Sequence, residues 1–171
     1  IIAIAANRDD RLRVLCLDLL RKVLMSDPKL IAECDGTKVL FDAIIDPSLS
    51  FLTEPLILSL LSVMNTSKTR KLLRPMHDVQ RLLAPFTDID FQLSSDRAEV
   101  WAASRRALVL MLRSWTGIVV LSSDPHGLSS ILNLLRDHAV DAALQFAVLD
   151  FVVEALHPVM NAFRKMPLKG P

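Results

Sequence analysis

Four stretches of this chain carry apolar side chains on more than one side of a helix, and they recur at a fixed distance. In Arg11 to Met25, Leu12, Leu15, Cys16, Leu19 and Val23 fall on one face at spacings of three and four. Val14, Leu17, Leu20 and Leu24 occupy the other side. A helix of this kind is expected to lie between two layers. Glu54 to Met64 behaves similarly and carries Pro55 in its first turn, where a missing N–H costs nothing. Asp96 to Leu121 opens on an Asp96/Glu99 capping-box pattern. Asp141 to Leu156 offers water only Asp141, Gln145, Asp150 and Glu154.

The spacing sets the architecture. Arg11, Glu54, Arg97 and Val140 stand at or near the four helix starts, 43 residues apart. Shorter helical pieces lie between them at Thr37–Ile45, Asp78–Leu83 and Leu128–Arg136. Linkers at Asp46–Pro47, Arg74–Pro75 and Pro125–Gly127 punctuate them. A period in the low forties with one long buried helix per unit marks armadillo or HEAT repeats. The expected fold is all-α, an armadillo/HEAT-like right-handed superhelical stack. It has about four units, with long helices near 11–25, 54–64, 96–121 and 141–156. An irregular helical bundle is the alternative. Only four Gly and no Tyr argue against a many-turned β fold.

Charge and hydropathy exclude several functions. Lys plus Arg number 20 against 19 acidic residues, and a net charge of +1 gives no strong pull towards nucleic acid or anionic membrane. The longest uncharged run, Pro55 to Ser67, is shorter than the ~20 apolar residues of a membrane span. The opening lacks the basic leader of a signal peptide and reads as a helix end, so the chain is expected to be a piece of a longer protein. Cys16 and Cys34 have neither metal-site nor CxxC spacing and suit a reducing, cytosolic setting.

Chemistry is sparse. His77, His126, His138 and His157 lack helical metal-ligand spacing, and the adjacent Ser123, Asp124 and His126 cannot form a triad. The glycines are isolated, and Gly36 and Gly127 read as turn residues. No catalytic residue or cofactor is expected. Asp88 and Asp90 could hold a divalent cation or cap backbone N–H groups. Lys68, Arg70, Lys71 and Arg74 form a basic cluster, either a solvated face or a surface for an acidic partner. Trp101, Leu108, Leu112, Trp115 and Val119 fall on one stripe of the third helix, which reads both tryptophans as core. Gly117 before Ile-Val-Val suggests a kink or close packing.

Leu83-Ala84-Pro85-Phe86-Thr87-Asp88, the helix start Asp96-Arg97-Ala98-Glu99, and Arg113-Ser114-Trp115-Thr116-Gly117-Ile118 resemble the amino-terminal armadillo region of the Rictor family. Leu61 to Arg70 resembles the stretch that family carries just upstream. The resemblance implies a non-catalytic scaffold subunit of TOR complex 2. Its implied partners are the TOR kinase, a Sin1-type substrate-recruiting subunit and a β-propeller subunit, at a cytoplasmic site with recruitment to the plasma membrane through the complex. Ala84–Ser95 is then expected to be an inserted loop, with Phe86, Asp88, Asp90 and Phe91 as partner-binding residues. The competing expectation is a generic armadillo adaptor for an extended peptide. Such adaptors present Trp on successive helices, whereas Trp101 and Trp115 share one helical pattern.

Overall fold

The computed structural model describes residues 1–72, 80–88, 95–123, 127–136 and 142–165. Among these the chain is helical without strands. The helices are α1 (Ile2–Ala6), α2 (Arg13–Ser26), α3 (Pro28–Glu33), α4 (Gly36–Ile44), α5 (Thr53–Met64) and α6 (Ser67–Arg70). They continue as α7 (Gln80–Thr87), α8 (Arg97–Leu112), α9 (Trp115–Ser123), α10 (Gly127–Arg136) and α11 (Ala142–Lys165). A 3-10 turn, Pro47–Leu49, precedes α5.

The long helices α2, α5, α8 and α11 start about 40 to 45 residues apart. Each packs on the next: α2 on α5, α5 on α8, and α8 on α11. The short helices close the sides, α4 against α2, α5 and α7, and α10 against α7, α9 and α11. Local signals explain many boundaries. Asp27 caps α3 by accepting from Leu30 N at 3.1 Å, with Pro28 in the first turn. Pro55 sits in the first turn of α5. The turn before α4 places its left-handed residue at Asp35 (φ 55°), not at Gly36. Gly36 matters for space, since a Cβ there would stand 3.0 Å from Ile31 Cγ2.

Several expectations are corrected. The continuous helix over 96–121 is two helices, α8 and α9, bent by 106°. Its apolar positions stay in phase across the break, which is why periodicity alone joins them. The side chain of Asp96 does not cap α8; it accepts from Ser95 Oγ at 2.8 Å. Helix α2 buries Cys16, Leu17, Leu20 and Leu24 but leaves Leu15 and Leu19 exposed, as is Leu12 just before it, so a layer covers one side. Helix α11 likewise shows water Phe146, Leu149, Val153 and Leu156, well beyond its polar residues. No single helix among the described residues is long and apolar enough to cross a membrane.

The bend has a steric cause. Ser114 Oγ accepts from Gly117 N at 2.8 Å and starts α9 as its N-cap. That turn lies so close to the end of α8 that a Cβ on Gly117 would stand 2.2 Å from the carbonyl oxygen of Met111. Only glycine fits.

One buried ion pair ties the first turns of the structure. Arg13 Nη1 lies 2.8 Å from Asp46 Oδ2, with both side chains buried, and Arg13 Nε donates to Ala5 O at 3.3 Å. Asp46 Oδ1 accepts from Ser48 N and Ser48 Oγ at 3.0 and 2.7 Å. Thus α1, α2 and the turn before α5 meet on one guanidinium. Burial pushes the Asp46 carboxyl up, but the bonds from Ser48 and Arg13 outweigh it and hold it below its ordinary value.

Two outcomes follow from these contacts. Gly117→Ala is expected to cost at least about 1–3 kcal/mol of unfolding free energy, measured by denaturant titration. An unfolded aspartate titrates near about pH 3.9. Because Asp46 binds its proton less readily when folded, its contribution is complete above that pH and lost as pH falls through the lower folded value. Asp46→Asn leaves Arg13 buried without its counter-ion. It should lose about 3–5 kcal/mol at pH 7 and flatten the acid limb of the stability curve.

Candidate partner-binding surface

The Leu-Ala-Pro-Phe-Thr-Asp motif is not a loop. Gln80–Thr87 is helical, and Phe86, only 1% exposed, stacks on Trp101 at 6.3 Å between ring centroids and tilts against Phe151 at 5.5 Å. Trp101 Nε1 donates to Pro85 O, a carbonyl in the last turn of α7, at 2.8 Å. Ser104 Oγ donates to Leu82 O one turn further back. The Arg97 guanidinium lies over the Trp101 ring at 5.8 Å. Phe86 therefore joins α7, α8 and α11 from within and cannot also face a partner, which corrects that assignment. Asp88 is exposed just beyond α7, with its N–H donating to Ala84 O at 2.8 Å. Asp90 and Phe91 lie outside the described residues, so the Asp88/Asp90 pairing has no geometry here. No group of metal-binding side chains occurs among the described residues.

The basic cluster divides by role. Arg70 turns back to cap α5, its Nε donating to Met64 O at 2.8 Å and its Nη2 to Asn65 O at 3.4 Å. Lys68 and Lys71 are exposed on either side of it. Arg74 lies outside the described residues. The same Asn65 accepts through its side chain, Oδ1, from Thr116 Oγ1 at 2.9 Å. The start of α9 is thereby pinned beside the end of α5.

That pin exposes the residue that periodicity places in the core. Trp115 opens α9 and is 78% exposed. Ser114 turns inward to cap, Thr116 reaches Asn65, and Gly117 abuts Met111, so Trp115 alone of the motif points away. The available sequence signal was Ser114 three residues before Gly117, an N-cap pattern inside an apolar run.

On the neighbouring face, Arg105 grips α11. Its Nε and Nη2 donate to Glu154 Oε2 at 3.1 and 2.7 Å, and its Nη1 stands 2.5 Å from Asp150 Oδ2. Arg113 Nη2 donates to Glu154 O at 3.0 Å. Beside these charges Phe146, Leu149 and Val153 form an open apolar strip along α11. Its i, i+3, i+7 spacing is that of a helix face that receives another element.

Among the described residues the body is all-helical, and its exposed features include a tryptophan, lysines and an apolar strip. Comparison with known proteins gives the family. Residues 1–164 match the family model for the N-terminal part of the rapamycin-insensitive companion of mTOR, so the chain belongs to the Rictor family. Protein pianissimo A of Dictyostelium discoideum is 30% identical over 171 residues, covering 90% of this chain and 15% of that protein. The rapamycin-insensitive companion of mTOR in Homo sapiens is 29% identical over 136 residues, covering 74% of this chain and 8% of that protein. The target of rapamycin complex 2 subunit ste20 of Schizosaccharomyces pombe is 28% identical over 146 residues, covering 80% of this chain and 11% of that protein. The chain thus spans a small part of the length of these relatives.

The two aromatic environments predict opposite responses. Phe86→Ala should cost about 3–5 kcal/mol in chemical denaturation, as expected for an emptied aromatic core position. Trp115→Ala should change stability by no more than about 0.5 kcal/mol.

Proposed function

We propose that this chain is part of a non-catalytic scaffold subunit of TOR complex 2. Membership of the Rictor family across 1–164 carries the reading, and one relative is itself named as a subunit of that complex. The fold supports it. Helices in sequential contact give a body with long external faces, and stacked helical repeats present extended surfaces to partners. Within the complex the protein brings the TOR kinase together with a Sin1-type substrate-recruiting subunit and a β-propeller subunit. It acts in the cytoplasm and reaches the plasma membrane through the assembled complex.

The apolar strip on α11 and the exposed leucines of α2 are the broad faces available for these associations, since exposed apolar surface of this kind marks interaction sites. Affinity purification of the full-length protein from its own cells, read by mass spectrometry, tests the reading. Recovery of the TOR kinase with a Sin1-like subunit is the expected result. Their absence, with some unrelated cargo in their place, overturns it in favour of a generic helical-repeat adaptor.

A further inference from the structure

The exposed corner where α5, α6 and α9 meet has a chemistry of its own. Its two contributing segments, 55–77 and 100–123, contain no aspartate or glutamate. In a chain with 19 acidic residues in 171, two acid-free stretches meeting at one point give a local positive field that the net charge of +1 conceals. They meet at Asn65. The Arg70 guanidinium lies on its carbonyl, and the Thr116 hydroxyl donates to its side chain. Trp115 is the next residue along from Thr116, and Lys68 and Lys71 flank Arg70. Glu154, a carboxylate that reaches the end of α8, is already gripped by Arg105 and approached by Arg113 at 4.0 Å.

Among the described residues Trp115 has no structural task. Its neighbours Ser114, Thr116 and Gly117 each make a defined contact, while the indole stays largely in water. A tryptophan whose backbone is fixed at a helix start has only two side-chain torsions to lose on binding, and tryptophans anchor interfaces more often than their number suggests. Positive charge beside it selects an anionic occupant.

We infer that this corner is a docking site for an acidic segment of a partner polypeptide, with an apolar or aromatic side chain lying on the Trp115 indole and carboxylates facing Lys68 and Lys71. A peptide suits the site better than the other anionic surfaces. Recognition of a lipid surface takes a cluster of four to eight basic residues, whereas of the described cations here Arg70 caps α5 and Arg113 donates to the Glu154 carbonyl, which leaves Lys68 and Lys71. Single-stranded nucleic acid needs a row of stacking platforms, and the corner offers one. The inference does not depend on membership of TOR complex 2, because any partner with such a segment satisfies it.

The test places the photo-crosslinker p-benzoylphenylalanine at position 115 of the full-length protein in its own cells, with crosslinked peptides identified by mass spectrometry. The expected product joins position 115 to an Asp/Glu-rich segment of another protein. Lys68→Glu with Lys71→Glu should lower its yield by about tenfold or more, since removing complementary rim charge slows encounter and adds repulsion. Trp115→Ala, which the exposed site tolerates without unfolding, should weaken recovery of the same partner and leave its purified thermal transition unchanged. Crosslinks confined to the chain itself, to lipid or to nucleic acid overturn the inference. So does a partner crosslink whose segment is not acidic, or whose yield ignores the charge reversal, or the absence of any crosslink.

Discussion

The contact between Gly117 and the carbonyl of Met111 decides the shape of the second half of the molecule. Because α9 starts within van der Waals range of the last turn of α8, the chain leaves at 106° instead of running on. Everything after it inherits that direction. The turn carries Thr116 to Asn65, so the C-terminal half is attached to the end of α5 by a hydrogen bond as well as by packing. It also frees the flank of α8 for α11, which Arg105 then holds through Glu154 and Asp150. A straight helix over the same residues would carry Thr116 away from Asn65.

Helix α8 is the element around which the others are arranged, with α5, α7, α9 and α11 all packed on it. Its polar atoms do as much as its apolar ones. Trp101 and Ser104 supply donors to the Pro85 and Leu82 carbonyls of α7. The aromatic set of Phe86, Trp101 and Phe151 then closes the space between three helices. The first half relies on a different device. Arg13, reaching both Ala5 and Asp46, makes a buried charge the link between α1, α2 and the turn before α5. The net stability from such a pair is small, because desolvation offsets most of its attraction, while loss of one partner leaves a buried charge unpaired.

The long helices could be read from the sequence because apolar spacing of three and four is a local signal and Pro55 marks a first turn. The break at Arg113–Ser114 could not be read from spacing, since Trp101, Leu108, Leu112, Trp115 and Val119 keep one phase through it. Only the Ser114–Gly117 pattern betrays it. Burial of Phe86 depends on α8 and α11 arriving from elsewhere in the chain, and no local pattern encodes that. The lysines of the basic cluster were legible as charge. The capping role of Arg70 needed the position of Met64 O. Apolar stripes on α2 and α11 were visible, but a stripe says what is available for burial and not whether a layer covers it.

The contrast between Trp101 and Trp115 gives the molecule an optical property. The sequence has two tryptophans and no tyrosine, so its near-ultraviolet emission comes almost wholly from these two rings. One is stacked on Phe86, bonded through its N–H and covered by a guanidinium; the other faces water. Their emission should differ in wavelength, and loss of the fold should red-shift the first ring far more than the second. A quencher dissolved in water should reach Trp115 more readily than the half-buried Trp101. The chain thus carries two intrinsic reporters, one for the state of its core and one for what occupies its surface.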